Sequence, residues 1–556
     1  MLHAIPFVAL ILGGTALLSW PLGRYMAWAM DPQDIRPNGF TRAFRSVGGA
    51  ATRNSQNWKQ YLAALLAFNI VMFIACFGIL ALQQYLPLNP DGKGALEGSL
   101  IFNTAISFTT NTNLQHYSGE VSMSYLSQLA ALMWLQFVSA AVGIAALAAL
   151  ARGLAGRELG NFFVDVQRAT FLVLLPVALI VACLLVLGGT PMTFKGAAIA
   201  TTLEGVQQTI ARGPVAAFVA IKQLGTNGGG FFGPNSTHPF ENPGFWTNVV
   251  STISIVIIPM GCVWMFGRIV GRMKHAAVLF CVMLALVLTR TAFAVTFEAA
   301  PTAAFAGLPI EQTSGNLEGK ELRFGASASP LWAVVTTSTS NGSVNSMHDS
   351  LNPLTGLMPM IGMWLNEDFG GVGVGMINMF LYIVVGVFIA GMMIGRTPEY
   401  LGWRVEAREV KLAMLALLSH GFFILVGTAI FASTSWGGDT LNNAGPHGFS
   451  EMLYEFTSSA ANNGSGFEGL GDNTVPWNLA TGLVMFFARF IPIILPLAII
   501  GSLAAKRRSA ESSGTLSVED GTFAGMLLAT IIIMGALTFF PAATLGPIAE
   551  HLIYMK

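Results

Sequence analysis

The sequence predicts an all-α polytopic membrane protein with ten transmembrane helices, built from four pseudo-symmetric repeats and one extra helix at each end. Three observations support this prediction: the composition, the lengths of the apolar runs and a fourfold internal repeat. Hydrophobic residues make up 53% of the 556 residues and charged residues only 10%, whereas a soluble domain carries about 25% charged residues. Such a chain is expected to lie within a lipid bilayer.

The charge balance argues against a nucleic-acid partner, and the cysteine pattern argues against disulfides and a zinc site. The formal net charge is zero, with 28 basic and 28 acidic residues, so no basic surplus is available to bind nucleic acid. All four cysteines lie in apolar runs without CxxC spacing, which indicates neither a disulfide framework nor a zinc site.

Ten apolar runs reach the length of a membrane span, about 20 residues. They lie near residues 4–28, 60–84, 124–150, 169–189, 245–268, 275–296, 371–395, 411–434, 478–504 and 523–547. Every second loop is basic, so the positive-inside rule places these loops in the cytoplasm and both termini outside it. The residues behind this prediction are Arg36, Arg42, Arg45, Arg53, Arg152, Arg157, Arg168, Arg268, Arg272, Lys274, Arg396, Arg404, Arg408, Lys411, Lys506, Arg507 and Arg508.

The outer loops each contain a shorter apolar segment. These segments lie at 99–109, 214–224, 330–339 and 451–459, and runs of about 10 to 14 residues suit re-entrant helices and not spans. A polar stretch follows each segment, and the four stretches resemble one another: a small polar residue, then Asn, then Thr or Gly. Their residues are Thr110, Asn111, Thr112 and Asn113; Thr226, Asn227, Gly228, Gly229 and Gly230; Ser340, Asn341, Gly342, Ser343 and Val344; and Asn462, Asn463, Gly464, Ser465 and Gly466.

These four stretches recur at near-equal intervals, with Asn111 set opposite Asn227, Asn341 and Asn463. An internal repeat of this kind is stronger evidence for the architecture than any single motif. Non-helical backbone at membrane depth must be buried or line a watery cavity. Glycine permits left-handed backbone and close approach, so inward carbonyls can replace an ion's hydration shell. Without Asp or Glu in the stretches, we expect a weakly hydrated monovalent cation such as potassium.

Two other interpretations of the glycine-rich stretch are weaker. One isolated GGG would be consistent with a flexible surface loop, but four copies are not. A phosphate site would need GxxxxGK[ST] between a strand and a helix, and the chain has no such motif, so no bound nucleotide is expected. Repeats two and three also share N-S-x-H-x-x-x-N-P; its His238 and His348 could be metal ligands or could hydrogen-bond the loop exits.

Four motifs together carry a family resemblance: TTNTNLQ at 109–115, GTNGGGFF with HPFENP at 225–243, TSTSNGSVNSMHDSLNP at 337–353 and SSAANNGSGFEGL at 458–470. With them the whole chain resembles the A subunits of the bacterial Kdp potassium-transporting ATPases, within the superfamily that includes Trk and Ktr. The resemblance implies four helix–pore loop–helix repeats, as in potassium channels, in the bacterial inner membrane.

The resemblance also implies a division of labour. The chain would select potassium, as the transported ion, and deliver it to a P-type ATPase subunit (KdpB) in a complex with KdpC and KdpF. Because the chain lacks the DKTGT phosphorylation motif, it is expected to have no catalytic site of its own. Gln115 would lie at the outer side of the filter, where it either influences affinity or only braces the loop.

Intramembrane charges are functional candidates by default. Arg290 lies near a helix end and could snorkel, whereas Arg489 is predicted to lie deep, below the filter. The segment 347–395 is too long for one span and breaks at 366–371, and broken helices mark transport paths. Glu367 is a candidate partner of Arg489, in a pair that either closes a gate or is purely structural.

The expected layout is 1–58 for the first helix and its loop, 59–168, 169–273, 274–410 and 411–508 for the repeats, and 509–556 for the last helix. Two other functions are alternatives to a pump subunit. A Trk- or Ktr-type passive or ion-coupled uptake protein would need a cytosolic nucleotide-binding regulator. A scaffold that does not conduct would not need four ion-sized polar loops.

Overall fold

The computed structural model describes residues 4–31, 42–43, 46, 48–52, 54–302, 305, 307–509 and 516–554. Arg36, Arg45 and Arg53, which contributed to the predicted orientation, lie outside these residues. Ten helices in the described part are long and apolar enough to span a membrane. We number them together with the shorter helices in chain order.

The spanning helices agree with the ten predicted runs to within about four residues at each end, except at the start of the fourth. They are α1 (Ile5–Met30), α2 (Trp58–Ala81), α4 (Ser127–Leu154), α5 (Phe162–Leu187), α7 (Phe245–Val270), α8 (Met273–Glu298), α11 (Val374–Met393), α12 (Ala407–Ala432), α14 (Val475–Leu503) and α15 (Gly521–Leu545). Helix α5 begins before residue 169, where the second repeat was expected to start.

Four half-length helices occupy the predicted re-entrant segments, two further short helices lie at 353–365 and 547–554, and one-turn helices lie at Gly119–Ser122 and Ser435–Gly438. The half-helices are α3 (Gly98–Thr109), α6 (Val215–Leu224), α9 (Gly325–Ser338) and α13 (Gly445–Ala460). Helix α10 (Pro353–Leu365) precedes α11, and α16 (Pro547–Tyr554) ends the described chain. The break between α10 and α11 was predicted, and it follows from Asn366, whose φ of 52° ends α10 in the left-handed region.

Local sequence signals fix the helix ends. Asn57 caps α2 through its side chain and forms a capping box with Gln60. Helix α7 ends at Gly271, which takes a left-handed φ of 77°. These signals also explain why α7 and α8 are separate helices, although only a few residues lie between them.

Two short antiparallel hairpins lie in the loops and were not predicted. Strand β1 (Ala198–Thr201) pairs with β2 (Gln207–Ile210), with Ala198 opposite Ile210. Strand β3 (Glu399–Tyr400) pairs with β4 (Trp403–Arg404). The sequence pattern of these short strands is too weak to compete with the apolar runs on either side.

The helices divide into an inner and an outer set. The most apolar stretch of α7 is 89% buried within the chain, and that of α11 is 83% buried, whereas only 17% of that of α2 is buried. Large apolar side chains such as Leu17 and Leu187 are exposed on the outer helices, where lipid is their natural solvent. The inner helices and the four half-helices therefore enclose the polar loops.

Candidate functional site

Each half-helix ends with the same backbone hydrogen bond. An amide N–H of the following loop donates to a carbonyl in the last turns of the half-helix, at 2.8 to 2.9 Å. The pairs are Thr112 with Ser107, Asn227 with Lys222, Asn341 with Thr336, and Asn463 with Ser458. This common bond defines which residues of the four loops are equivalent.

The equivalence corrects the alignment made from the sequence. In the first loop the counterpart of Asn227 is Thr112 and not Asn111. Left-handed residues agree with this shift: one set with φ between 49° and 67° is Asn111, Thr226, Ser340 and Asn462, and a second with φ between 56° and 99° is Asn113, Gly228, Gly342 and Gly464. Asn113 replaces glycine because Asn tolerates left-handed backbone better than most residues, and the sequence alignment followed the wrong Asn.

The four loops contact one another in a ring. A Cβ atom on a glycine of one loop would overlap a carbonyl oxygen of the next loop, in the pairs Gly228 with Asn341, Gly342 with Asn463, and Gly464 with Thr112. Between the first and second loops, Asn111 Nδ2 donates to Thr226 O at 2.8 Å. The predicted meeting of the four stretches is therefore present as direct contact between neighbouring loops.

Asparagine side chains hold neighbouring loops together. Asn341 Nδ2 donates to Lys222 O at 3.1 Å, and Asn463 Nδ2 donates to Thr336 O at 2.9 Å. Asn227 Nδ2 donates to Asn111 Oδ1 at 2.7 Å. The loops thus brace one another through amide side chains, and these bonds do not involve the carbonyl oxygens of Thr112, Asn227, Asn341 and Asn463.

One ring of carbonyl oxygens lacks hydrogen-bond donors. Among the residues that the structure describes, none donates to the carbonyl oxygens of the four equivalent residues Thr112, Asn227, Asn341 and Asn463. All four residues are fully buried, and buried carbonyls are normally paired. Oxygens of this kind, held close to the next loop, can replace the water around a cation.

The outer residues of the predicted site do not all face the same way. Ser343 O accepts hydrogen bonds from Trp332 Nε1 and Thr336 Oγ1, both at 2.8 Å, and so points away from the next loop. Val344 and Gly466 line a cavity of about 320 Å³ above the ring. Gly229 and Ser465 are buried beside the ring, as the alignment of the loops requires.

Gln115 contacts the second loop and not the centre of the ring. Its Oε1 accepts from Gly230 N at 2.7 Å, and its Nε2 donates to Gly230 O at 3.0 Å. Nε2 also donates to Tyr117 OH at 3.0 Å. This geometry favours the bracing role over direct contact with an ion.

Acidic groups surround the outer cavity. His116 lies 3.3 Å from Glu455 Oε1 and 3.8 Å from Asp472 Oδ2. Burial alone would lower the pKa of His116, but the carboxylates of Asp472 and Glu455 overcome this effect and raise it to about 9. The imidazolium therefore neutralises part of the negative charge above the ring at neutral pH.

The two matched histidines contact the loop exits. His348 Nδ1 lies 2.9 Å from Tyr454 OH, which in turn bonds Ser465 Oγ at 2.8 Å. Burial, reinforced by nearby Lys320, lowers the pKa of His348 to about 3, so its ring is neutral. His238 stacks on Phe232 with ring centroids 3.9 Å apart. These contacts favour the bracing role over metal ligation.

The break in the third repeat lies directly below the ring. Val372 N donates to Thr226 Oγ1 at 2.9 Å, and Ser340 Oγ donates to Asn366 Oδ1 at 2.9 Å. A cavity of about 40 Å³ beside this segment is lined by Ser340, Asn366, Asn462 and Arg489, among others. The segment from 366 to 373 therefore covers the inner side of loops two and three.

Arg489 lines the small cavity beside the broken segment, and its expected ion pair with Glu367 is absent among the described residues. The buried Arg489 guanidinium has one hydrogen bond within the described chain, from Nη2 to Ser139 O at 3.5 Å. The carboxylate oxygens of Glu367 have no hydrogen-bond partner in this part of the chain. The prediction was wrong because Arg290, from α8, occupies the space beside this turn.

Arg290 does not snorkel. Its side chain is buried and forms an ion pair with Asp368, the neighbour of Glu367. It also donates from Nη2 to Ser338 Oγ at 2.6 Å, at the end of α9. The sequence position of Arg290 near a helix end suggested access to the membrane surface, but the third half-helix and the broken segment close around it.

Sequence reasoning missed two fully buried lysine pairs. Lys222 pairs with Glu241, and Lys320 pairs with Glu298 at 2.5 Å; all four side chains are inaccessible to solvent. A lysine within the apolar half-helix α6 was a usable signal, because charges at membrane depth are costly and seldom incidental.

Comparison with known proteins now identifies the family. A family model described as the potassium-transporting ATPase A subunit, KdpA, matches residues 9–552. This chain belongs to that family. A KdpA relative, the potassium-transporting ATPase potassium-binding subunit of Flavobacterium johnsoniae, is 48% identical over 560 residues and is covered to 97%, as is this chain.

The fold extends beyond KdpA proteins. The crystal structure of the potassium transporter TrkH from Vibrio parahaemolyticus matches with a TM-score of 0.52 at 13% identity, over 88% of this chain and 98% of TrkH. At this identity the likeness concerns the fold alone. It agrees with the predicted ten-helix KdpA architecture, in which repeated helix–loop–helix units form the body of the protein.

Proposed function

We propose that this chain is the potassium-binding and translocating subunit of an ATP-driven Kdp uptake complex. The proposal rests on the buried ring of carbonyl oxygens of Thr112, Asn227, Asn341 and Asn463. No described residue donates a hydrogen bond to these oxygens. Potassium enters from the extracytoplasmic side, and the carbonyls replace its hydration shell. We place the chain in the bacterial inner membrane with both termini extracytoplasmic.

We propose further that ATP is hydrolysed on a partner. This chain carries no DKTGT sequence, so the P-type ATPase subunit KdpB would supply the energy, with KdpC and KdpF completing the complex. The segment 366–373 blocks the direct route below the filter, and potassium leaves through the partner. The printed name of the Flavobacterium relative, a potassium-binding subunit of a potassium-transporting ATPase, supports this assignment.

The testing experiment replaces Gly230 with aspartate in the purified complex. An added Cβ would lie 2.9 Å from Asn235 Cα and 3.1 Å from Glu241 Oε1, so the new carboxylate displaces the second loop and meets a like charge. We expect the potassium concentration for half-maximal ATPase activity to rise by about tenfold or more, with the maximal rate retained. Potassium and rubidium titrations measure this change.

Gly244→Asp is the matched control. An added Cβ at Gly244 has open space, and Gly244 is the N-cap of α7, where aspartate is favourable. This control should keep the wild-type affinity. If Gly230→Asp also keeps it, the second loop does not contribute to the potassium site.

Arg489→Gln tests the inner barrier, which consists of Arg489 and the segment 366–373 below the ring. A buried positive charge below the ring opposes a cation that moves straight towards the cytoplasm. We expect proteoliposomes with the variant to leak potassium without ATP and to transport fewer ions per ATP, whereas Arg489→Lys keeps the barrier. Tight coupling in Arg489→Gln would exclude this residue from the gate.

A further inference from the structure

Lys222 is an exception among the residues that support the four loops. The shared backbone hydrogen bond makes it the counterpart of Ser107, Thr336 and Ser458, which carry hydroxyl groups. Its ammonium group is fully buried and paired with Glu241. A buried pair is costly to desolvate, so a serine would be the simpler choice unless the ammonium has a particular use.

The ammonium reaches a filter carbonyl through one asparagine. Lys222 Nζ donates to Asn235 Oδ1 at 2.6 Å, and Asn235 Nδ2 donates to Gly228 O at 2.7 Å. The charge polarises the amide and strengthens the second hydrogen bond. Asn235 has a φ of 56°, a conformation that Asn adopts more readily than most residues.

Two of the three hydroxyl counterparts hold a different oxygen, whereas the third, Ser458 Oγ, accepts from Gly464 N at 2.9 Å. Ser107 Oγ donates to Leu114 O at 2.9 Å, and Thr336 Oγ1 donates to Ser343 O at 2.8 Å. Both acceptors lie one residue beyond the counterpart of Gly228. The lysine relay therefore moves the point of attachment one residue closer to the centre of the second loop.

The hydrogen bond from Asn235 makes the four carbonyl oxygens at the level of Gly228, one residue beyond the ring, unequal. The counterparts of Gly228 are Asn113, Gly342 and Gly464, and within the described residues no group donates to their carbonyl oxygens. Gly228 O alone among the four accepts a hydrogen bond. Among the described residues, three carbonyl oxygens at this level therefore accept no hydrogen bond, and the fourth accepts one from Asn235.

We propose that Lys222 is a positioning residue that acts through Asn235 to restrain the Gly228 carbonyl, and that this restraint sets the preference of the filter between potassium and rubidium. This inference rests on the proposed function above. Selectivity depends on the number and field strength of the coordinating carbonyls and on the space they leave. A restrained fourth oxygen changes both quantities at one level of the filter.

Glu241 keeps the device neutral. Its Oε1 accepts from Phe232 N at 3.0 Å while its other oxygen pairs with Lys222. The pair therefore polarises Asn235 without adding net positive charge beside a passing cation. Glu241 belongs to HPFENP, and this contact gives a use to a motif that the filter itself does not explain.

Asn235→Asp tests the proposal directly in the purified complex. Aspartate keeps the size, tolerates the left-handed backbone and still accepts from Lys222, but it loses the N–H that donates to Gly228 O. We expect the ratio of the half-saturating rubidium and potassium concentrations in the ATPase assay to change by about three- to tenfold. An unchanged ratio in an active variant overturns the proposal.

Two matched double variants separate the relay from buried charge in general. Lys222→Met with Glu241→Gln removes the relay, and Lys320→Met with Glu298→Gln removes the other buried pair, for which no filter contact is present among the described residues. Only the first should change the rubidium-to-potassium ratio. Equal ratios in both overturn the proposal, and they decide the matter if Asn235→Asp does not assemble.

The wild-type complex separates the two levels of inference. If potassium does not stimulate its ATPase activity, the proposed function fails. If potassium stimulates it and the relay variants keep the wild-type ion ratio, only the role of Lys222 fails. A general loss of stability would lower the maximal rate without changing the ratio.

Discussion

Gly464→Ala is expected to reduce potassium-stimulated ATP hydrolysis by the complex strongly. Gly464 has a φ of 99°, a conformation that costs a residue with a Cβ about 1–3 kcal/mol. The new methyl group would also overlap Thr112 O, one of the ring carbonyls. Because strain and overlap both act at the proposed ion site, we expect ATPase activity at subsaturating potassium to fall by about tenfold or more.

Gly438→Ala is the control for this substitution. Gly438 is exposed, has open space at its Cβ position and ends a short helix in the same outer loop. Its variant should assemble and hydrolyse ATP as the wild type does. Wild-type potassium stimulation in Gly464→Ala would remove the fourth loop from the filter.

Among single substitutions of the charged residues, Arg290→Met is expected to lower the free energy of unfolding most. It leaves Asp368 buried without its cation, beside Glu367, whose carboxylate has no hydrogen-bond partner among the described residues. Breaking a buried pair from one side costs about 3 to 5 kcal/mol of unfolding free energy. Thermal unfolding of the purified complex in detergent measures the loss.

The double variant Arg290→Met with Asp368→Asn should recover most of this stability, because it removes the buried charge on both sides. Arg157 is the comparison site: its pair with Asp31 is 2.9 Å long, and both side chains are 24% exposed. Arg157→Met should cost at most about 1 kcal/mol. Equal losses at Arg290 and Arg157 would show that burial of the pair does not control stability.

The sequence was sufficient for the spans and half-helices because apolar length is a strong signal in a membrane protein. The break after Leu365 was also predictable, since Asn366 and the following glycines cannot continue a helix. Pairings across the fold were not: Arg290 and Asp368 are distant in sequence, and no pattern in either segment connects them. Charge alone therefore predicted a pair between Glu367 and Arg489, whereas the structure pairs the neighbouring Asp368 with Arg290.

The one-residue shift in the first loop has a different cause. The alignment matched Asn with Asn, whereas the fold matches left-handed residues with left-handed residues. Asn113 follows Thr112 as Gly228 follows Asn227, and Asn is the common substitute for glycine at such positions. Matching backbone requirements and not residue types would have found the correct register.

The broken segment and the filter share hydrogen bonds, which restricts how the inner barrier can move. Thr226 and Ser340 are left-handed residues at the inner rim of loops two and three, and their hydroxyl groups bind Val372 and Asn366. Displacing the segment breaks the bonds that position this rim. In the proposed pump, opening a direct path to the cytoplasm would therefore loosen the carbonyl ring itself. Leakage of potassium and loss of ion discrimination would then arise together.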